Sequence, residues 1–137
     1  MEISKLISGI MNEEFADISL YRAEAELFAA KIVGGRRIAE TFRTFAGEEA
    51  EHARALMSLT GENGDIKPRK IAAGPSLRQC LEVHKRREAM SVSFYRQLIL
   101  QTTVPEHKLM LKGILTQENE HLRQIVKYLA VLTDADN

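Results

Sequence analysis

Cysteine is nearly absent: Cys80 stands alone among 137 residues, which excludes an internal disulfide, a thiolate zinc site and an iron–sulfur cluster built within one chain. A metal ion here would have to be held by carboxylate and imidazole. Net charge is absent too, with 19 Lys and Arg against 19 Asp and Glu, so no large field draws the chain to nucleic acid or to an anionic membrane. Neither partner is expected. The opening MEISKLISGIMNEEF has no basic segment followed by a long apolar run, and Glu13, Glu14 and Asp17 interrupt any such run. A secretory leader is therefore not expected, and a cytoplasmic location is. Strict alternation of apolar and polar residues, the mark of a half-buried strand, occurs nowhere.

What is present is a spacing of three and four between apolar residues along almost the whole chain, the period of a helix. At 137 residues the chain is sized for a single all-α domain, 1–137, around one core. A first helix is expected over about 3–32, with Ile7, Met11, Ile18, Tyr21 and Phe28 on one stripe, ended by Gly34-Gly35. A second, about 36–59, carries Phe42, Phe45, Glu49, His52 and Leu56 and closes at Thr60-Gly61. Ser76 is the expected N-cap of a third helix, about 76–101. Pro105 opens a fourth, about 105–132, at a position where its missing N–H does no harm, before the polar tail TDADN. Helices of this length make a bundle roughly 35–45 Å tall. The connection, about 60–75, reaches about 50 Å when extended, enough to cross the bundle from end to end. Two antiparallel hairpins joined by a crossover are expected, the second inverted relative to the first.

Two of the four histidines fall in one phrase: GEEAEH ends at His52 and QENEH at His121. Glu49 with His52, and Glu118 with His121, lie three apart and so share a helix face at mid-helix. Glu49, Glu88 and Glu118 interrupt otherwise apolar stripes. A lone carboxylate buried there would be neutralised or expelled unless paired or bound to metal. Two Glu-x-x-His pairs, with a carboxylate from each of the other two helices, form the ligand set of di-iron and di-manganese carboxylate bundles. The first-helix member is left open by spacing. Glu88 stands 33 residues before His121, and 33 before His52 stands Ser19. Asp17 is the nearest carboxylate in depth and the leading candidate, Glu14 and Glu24 lie a turn or more away, and the absence of any first-helix ligand is the remaining alternative. His84 is read as a core histidine, Cys80 as a small buried hydrophobe, and Tyr21 and Tyr95 as core aromatics able to hydrogen-bond ligands. Glu48, Glu51 and Glu120 are read as solvated faces, one of which could support a ligand.

The stretch FRTFAGEEAEHARAL resembles the second helix of rubrerythrins, ferritin-like proteins, and REAMSVSFYRQL is similar to their third helix, with Glu88 six residues before Phe94-Tyr95. Pro105 then falls in the short turn and Glu118 and His121 at the fourth-helix ligand positions, so the resemblance spans about residues 10–130. It implies a ferritin-like four-helix bundle with a carboxylate-bridged pair of irons, manganese accepting the same donors. The implied ligands are Glu49, His52, Glu88, Glu118 and His121, with Asp17 for the first helix; Glu49 and Glu118 are candidates to bridge. The implied activity is reduction of peroxide or O2, and the implied assembly is a homodimer. A Cys-x-x-Cys rubredoxin module is missing, so the electron donor would be a separate protein. Met90 and Ser91 stand where a further third-helix glutamate would be expected. Oxidation of Fe(II) for iron handling, or a metal-free bundle that binds a partner, are the alternative functions.

Overall fold

Four helices appear in the computed structural model, which describes residues 3–31, 35–62, 65–69 and 74–132: α1 (Ile3–Lys31), α2 (Gly35–Thr60), α3 (Leu77–Gln101) and α4 (Pro105–Val131). No strand occurs among the described residues. The expected turn residue Gly34, the end of the first helix at 32, parts of the connection (63–64 and 70–73) and the tail TDADN lie outside them. Among the described residues no helix is long and apolar enough to cross a membrane.

Local chemistry sets the ends that were expected. Gly61 takes a φ of +76° beyond α2, a left-handed conformation that glycine adopts without strain, and the Glu62 N–H reaches back to the Met57 carbonyl at 3.1 Å. Ser76 caps α3 in extended backbone, its Oγ accepting from the Gln79 N–H at 3.2 Å. Pro105 is the first residue of α4, where no intrahelical partner for an N–H exists.

The core is divided into two clusters, and their membership gives the topology. One gathers the start of α1 (Leu6 to Ile18), the end of α2 (Ala50 to Met57), the end of α3 (Tyr95, Leu98) and the start of α4 (Leu111, Ile114). The other gathers the end of α1 (Tyr21 to Phe28), the start of α2 (Ala39 to Ala46), the start of α3 (Leu77 to Leu81) and Ile125 of α4. Thus α1 pairs with α2 and α3 with α4 as antiparallel hairpins, while α2 and α3 run in the same direction. The connection between them must travel the length of the bundle. Its described part, 65–69, lies along α1: Ile66 packs on the first cluster, the Arg69 N–H donates to Ser19 Oγ at 2.8 Å, and the Arg69 guanidinium donates to the Asn12 carbonyl at 3.2 Å. In the second cluster Phe42 is fully buried, edge-on to Tyr21 at 5.0 Å and beside Phe28 at 5.7 Å. Truncating it to alanine would cost about 3–5 kcal/mol. Between the two apolar clusters lies a layer of buried carboxylates and imidazoles.

Candidate metal centre

Every helix contributes to that layer, at the depth where an inverted pair of hairpins brings mid-helix positions together. Glu49, Glu88 and Glu118 are fully buried, and Glu14, His52 and His121 are at most 2% exposed. Their ligand atoms converge in two groups, Glu14, Glu49, His52 and Glu118 in one, Glu49, Glu88, Glu118 and His121 in the other. Within each group all the ligand atoms lie within 4.8 Å of one another, and Glu49 and Glu118 belong to both. His52 Nδ1 stands 2.9 Å from Glu118, 3.1 Å from Glu14 and 3.4 Å from Glu49. His121 Nδ1 stands 3.1 Å from Glu49, 3.5 Å from Glu88 and 3.8 Å from Glu118.

The first-helix member is Glu14. Asp17, the leading expectation, is buried but belongs to neither group: its Oδ1 accepts from Arg87 Nε at 2.6 Å, and the same guanidinium reaches Glu13 at 2.8 Å. Depth along the chain misleads here for a geometric reason. Three residues place Asp17 about 60° round the helix from Glu14 and about 4.5 Å further along the axis, enough to take its short side chain past the layer to Arg87 on α3. Glu24 also lies outside both groups, paired with the buried His84. His84 is the core histidine expected of it, its ring stacked on Tyr21 at 3.9 Å.

Hydrogen bonds from outside the groups hold these side chains. Tyr95 donates to Glu14 at 3.0 Å, Tyr21 to Glu88 at 2.7 Å, and Ser91 to Glu118 at 2.6 Å. His52 Nε2 contacts the Gln117 side-chain oxygen at 2.6 Å, and His121 Nε2 contacts a Glu48 carboxylate oxygen at 3.0 Å. Both oxygens can only accept, so each Nε2 carries a proton and each Nδ1 is the atom presented to the carboxylates. Gln117 was not anticipated from sequence, and Glu48 only as one of three possible supports. The signal was there: each residue immediately precedes the Glu of a Glu-x-x-His pair, and each holds the histidine of the other pair. A second signal concerned Glu14. Tyr21 follows Glu14 by seven residues, as Tyr95 follows Glu88.

Packing so many carboxylates together has an electrostatic consequence. Burial, followed by the charge of Glu118, lifts Glu14 to about 7. Glu49 and Glu88 are pushed well above the ordinary carboxylate range by burial and by the same Glu118 charge. Burial pushes Glu118 upward as well, but the protons that Glu49, His52 and Glu88 hold around it outweigh burial and keep it ionised. Burial disfavours a charged His52, yet Glu118 and Glu14 overcome it and raise the imidazole to about 10. For His121 burial wins over Glu118 and Glu48, and the imidazole is lowered. The cluster thus retains protons where cations would serve. Glu49 Oε1 and Oε2, Glu88 Oε2, Glu118 Oε1 and His121 Nδ1 are buried, and none of them takes part in a well-aligned hydrogen bond. Such orphaned atoms are costly unless something binds them. Oxygen and imidazole donors of this kind fit iron or manganese, and the residues suit a metal site.

Among curated proteins none matches the chain. The sequence model of one family, Rubrerythrin, matches residues 8–129, a span containing every residue that converges in the layer. The match covers most of the chain and extends into all four helices, and the protein belongs to the rubrerythrin family.

Proposed function

We propose that the chain is a di-iron oxidoreductase that reduces peroxide or dioxygen with electrons from a separate donor protein. The observation that carries this reading is the pair of converging donor groups sharing Glu49 and Glu118. Glu49 and Glu118, common to both groups, would be shared between the two positions, Glu14 and His52 would complete one, and Glu88 and His121 would complete the other. Two irons held there would supply the electron reservoir, as Fe(II) and Fe(III). Manganese would accept the same donors, and the family favours iron.

The chain's own residues have definable tasks. Tyr95 and Tyr21 aim Glu14 and Glu88 by donating to one oxygen of each. Gln117 and Glu48 accept from Nε2 and so hold each imidazole with Nδ1 turned inward. Protons held by Glu14, Glu49, Glu88 and His52 in the metal-free protein leave when cations enter. Reducing peroxide to two waters takes two electrons and two protons; the donor protein supplies the electrons and solvent the protons.

Elemental analysis after expression with iron tests the site, and stopped-flow mixing tests the reaction. The expected results are about two irons per chain, their loss in Glu118→Ala, and catalytic peroxide consumption when a reductant is present. Iron oxidation that saturates with added Fe(II), without peroxide turnover, would assign the chain to iron handling instead. A folded parent without metal would overturn the metal-centre reading.

A further inference from the structure

The cluster has an internal two-fold pattern that the fold imposes and the sequence breaks, most directly behind the two histidines. Glu14 and Tyr21 of α1 correspond to Glu88 and Tyr95 of α3, and each tyrosine donates to the glutamate of the other helix. Glu49 and His52 of α2 correspond to Glu118 and His121 of α4. Each position is therefore offered the same donors: three carboxylates and one Nδ1. Identical first contacts leave the residues behind them to set any difference. Behind His121 stands the carboxylate of Glu48, Oε1 at 3.0 Å from Nε2; behind His52 stands the amide of Gln117, Oε1 at 2.6 Å from Nε2. Asp17 and Ser91, three residues beyond Glu14 and Glu88, and Phe45 and Ile114, four before Glu49 and Glu118, are further unlike pairs; Phe45 stacks on the His121 ring at 4.1 Å and brings no charge. Asp17 is tied to Arg87, and Ser91 donates to Glu118, which both positions share, so neither favours one side.

Resting on the metal-centre reading above, we propose that the two positions are unequal: the Glu88–His121 position binds its metal more tightly and fills first, because Glu48 holds its imidazole. A carboxylate accepting the Nε2 proton draws the ring toward imidazolate, making Nδ1 the stronger donor. It also places a negative charge one ring away from the cation. An amide oxygen accepts the same hydrogen bond without that charge. Outer partners of this kind change metal affinity by about 10–100-fold.

Anaerobic calorimetry of the whole chain with Fe(II) tests this directly. The expected result is two binding steps at least about tenfold apart, with the tighter step weakened by about tenfold in Glu48→Gln and the weaker step tightened in Gln117→Glu. Both exchanges are isosteric at partly exposed positions, and if one variant fails to fold the other still reads the effect. Zn(II) at one ion per chain identifies the position: imidazole 15N spectra should show His121 coordinated and His52 free. Two equal steps in the parent, unchanged steps in the folded variants, or coordination of His52 first would each overturn the inference while leaving the metal centre standing. An absence of any Fe(II) binding would overturn both.

Discussion

Glu14 and Asp17 are both acidic, both buried on α1 and three residues apart, yet their surroundings give them opposite tasks. Glu14 stands among His52, Glu49, Glu118 and the Tyr95 hydroxyl; Asp17 is neutralised by Arg87. Glu14→Ala is expected to lower bound iron from about two per chain to about one or none, while Asp17→Ala keeps both, measured by elemental analysis of the purified variants. Iron lost in Asp17→Ala and kept in Glu14→Ala would reverse the assignment. Sequence reasoning reached the two Glu-x-x-His pairs and Glu88 because three-residue spacing and an interrupted apolar stripe are local properties. Glu14 ranked behind Asp17 because nearly equal hairpins favour Asp17, 35 residues before His52: 38 residues separate Glu14 from His52, against 33 between Glu88 and His121. The seven-residue interval from glutamate to tyrosine, shared by α1 and α3, was the better guide.

At the scale of the element, helix ends are where single residues decide most. Ser76 satisfies one of the four orphan N–H groups of α3 through Gln79. Ser76→Ala should destabilise the protein by about 1 kcal/mol, read from urea unfolding at constant slope, and Ser76→Asp should restore it. The cap lies far from the cluster in sequence, so metal content should not change; a change would mean that α3 shifts along its axis when its first turn frays. Ser76, Pro105 and Gly61 were all visible in the sequence because caps and breakers act through neighbouring backbone groups.

For the whole molecule, the buried acids make pH and metal two handles on one equilibrium. His52 is raised from 6.5 to about 10, so between those values the folded chain holds a proton that the unfolded chain releases. Glu49 and Glu88, raised well above 4.5, act in the same sense. Stability falls with rising pH wherever the native state binds more protons. Below 6.5 the lowered His121 opposes this trend, so the clear window runs from about pH 7 to about 10. Thermal denaturation of metal-free protein followed by circular dichroism should show the midpoint dropping across that window; a flat or rising profile would contradict the protonation pattern. Iron replaces those protons, so loading should flatten the profile and raise the midpoint. A ligand at a thousandfold excess over its Kd stabilises by about 4 kcal/mol, worth about 10 °C or more for a domain of this size. Stripping the loaded protein with a chelator should return the midpoint to the metal-free value.

The sequence by itself determined that the chain is helical, where most of its helices begin and end, that a long connection reverses the second hairpin, and that two Glu-x-x-His pairs and Glu88 sit at matching depth. All of these follow from spacing along one chain and from backbone groups a few residues apart. Only the tertiary structure decided which first-helix carboxylate joins them, that Arg87 claims Asp17, that His84 pairs with Glu24, and that Glu48 and Gln117 each support the histidine of the opposite pair. Those outcomes depend on how far each helix is rotated and displaced along its axis relative to its neighbours, and packing between helices sets both.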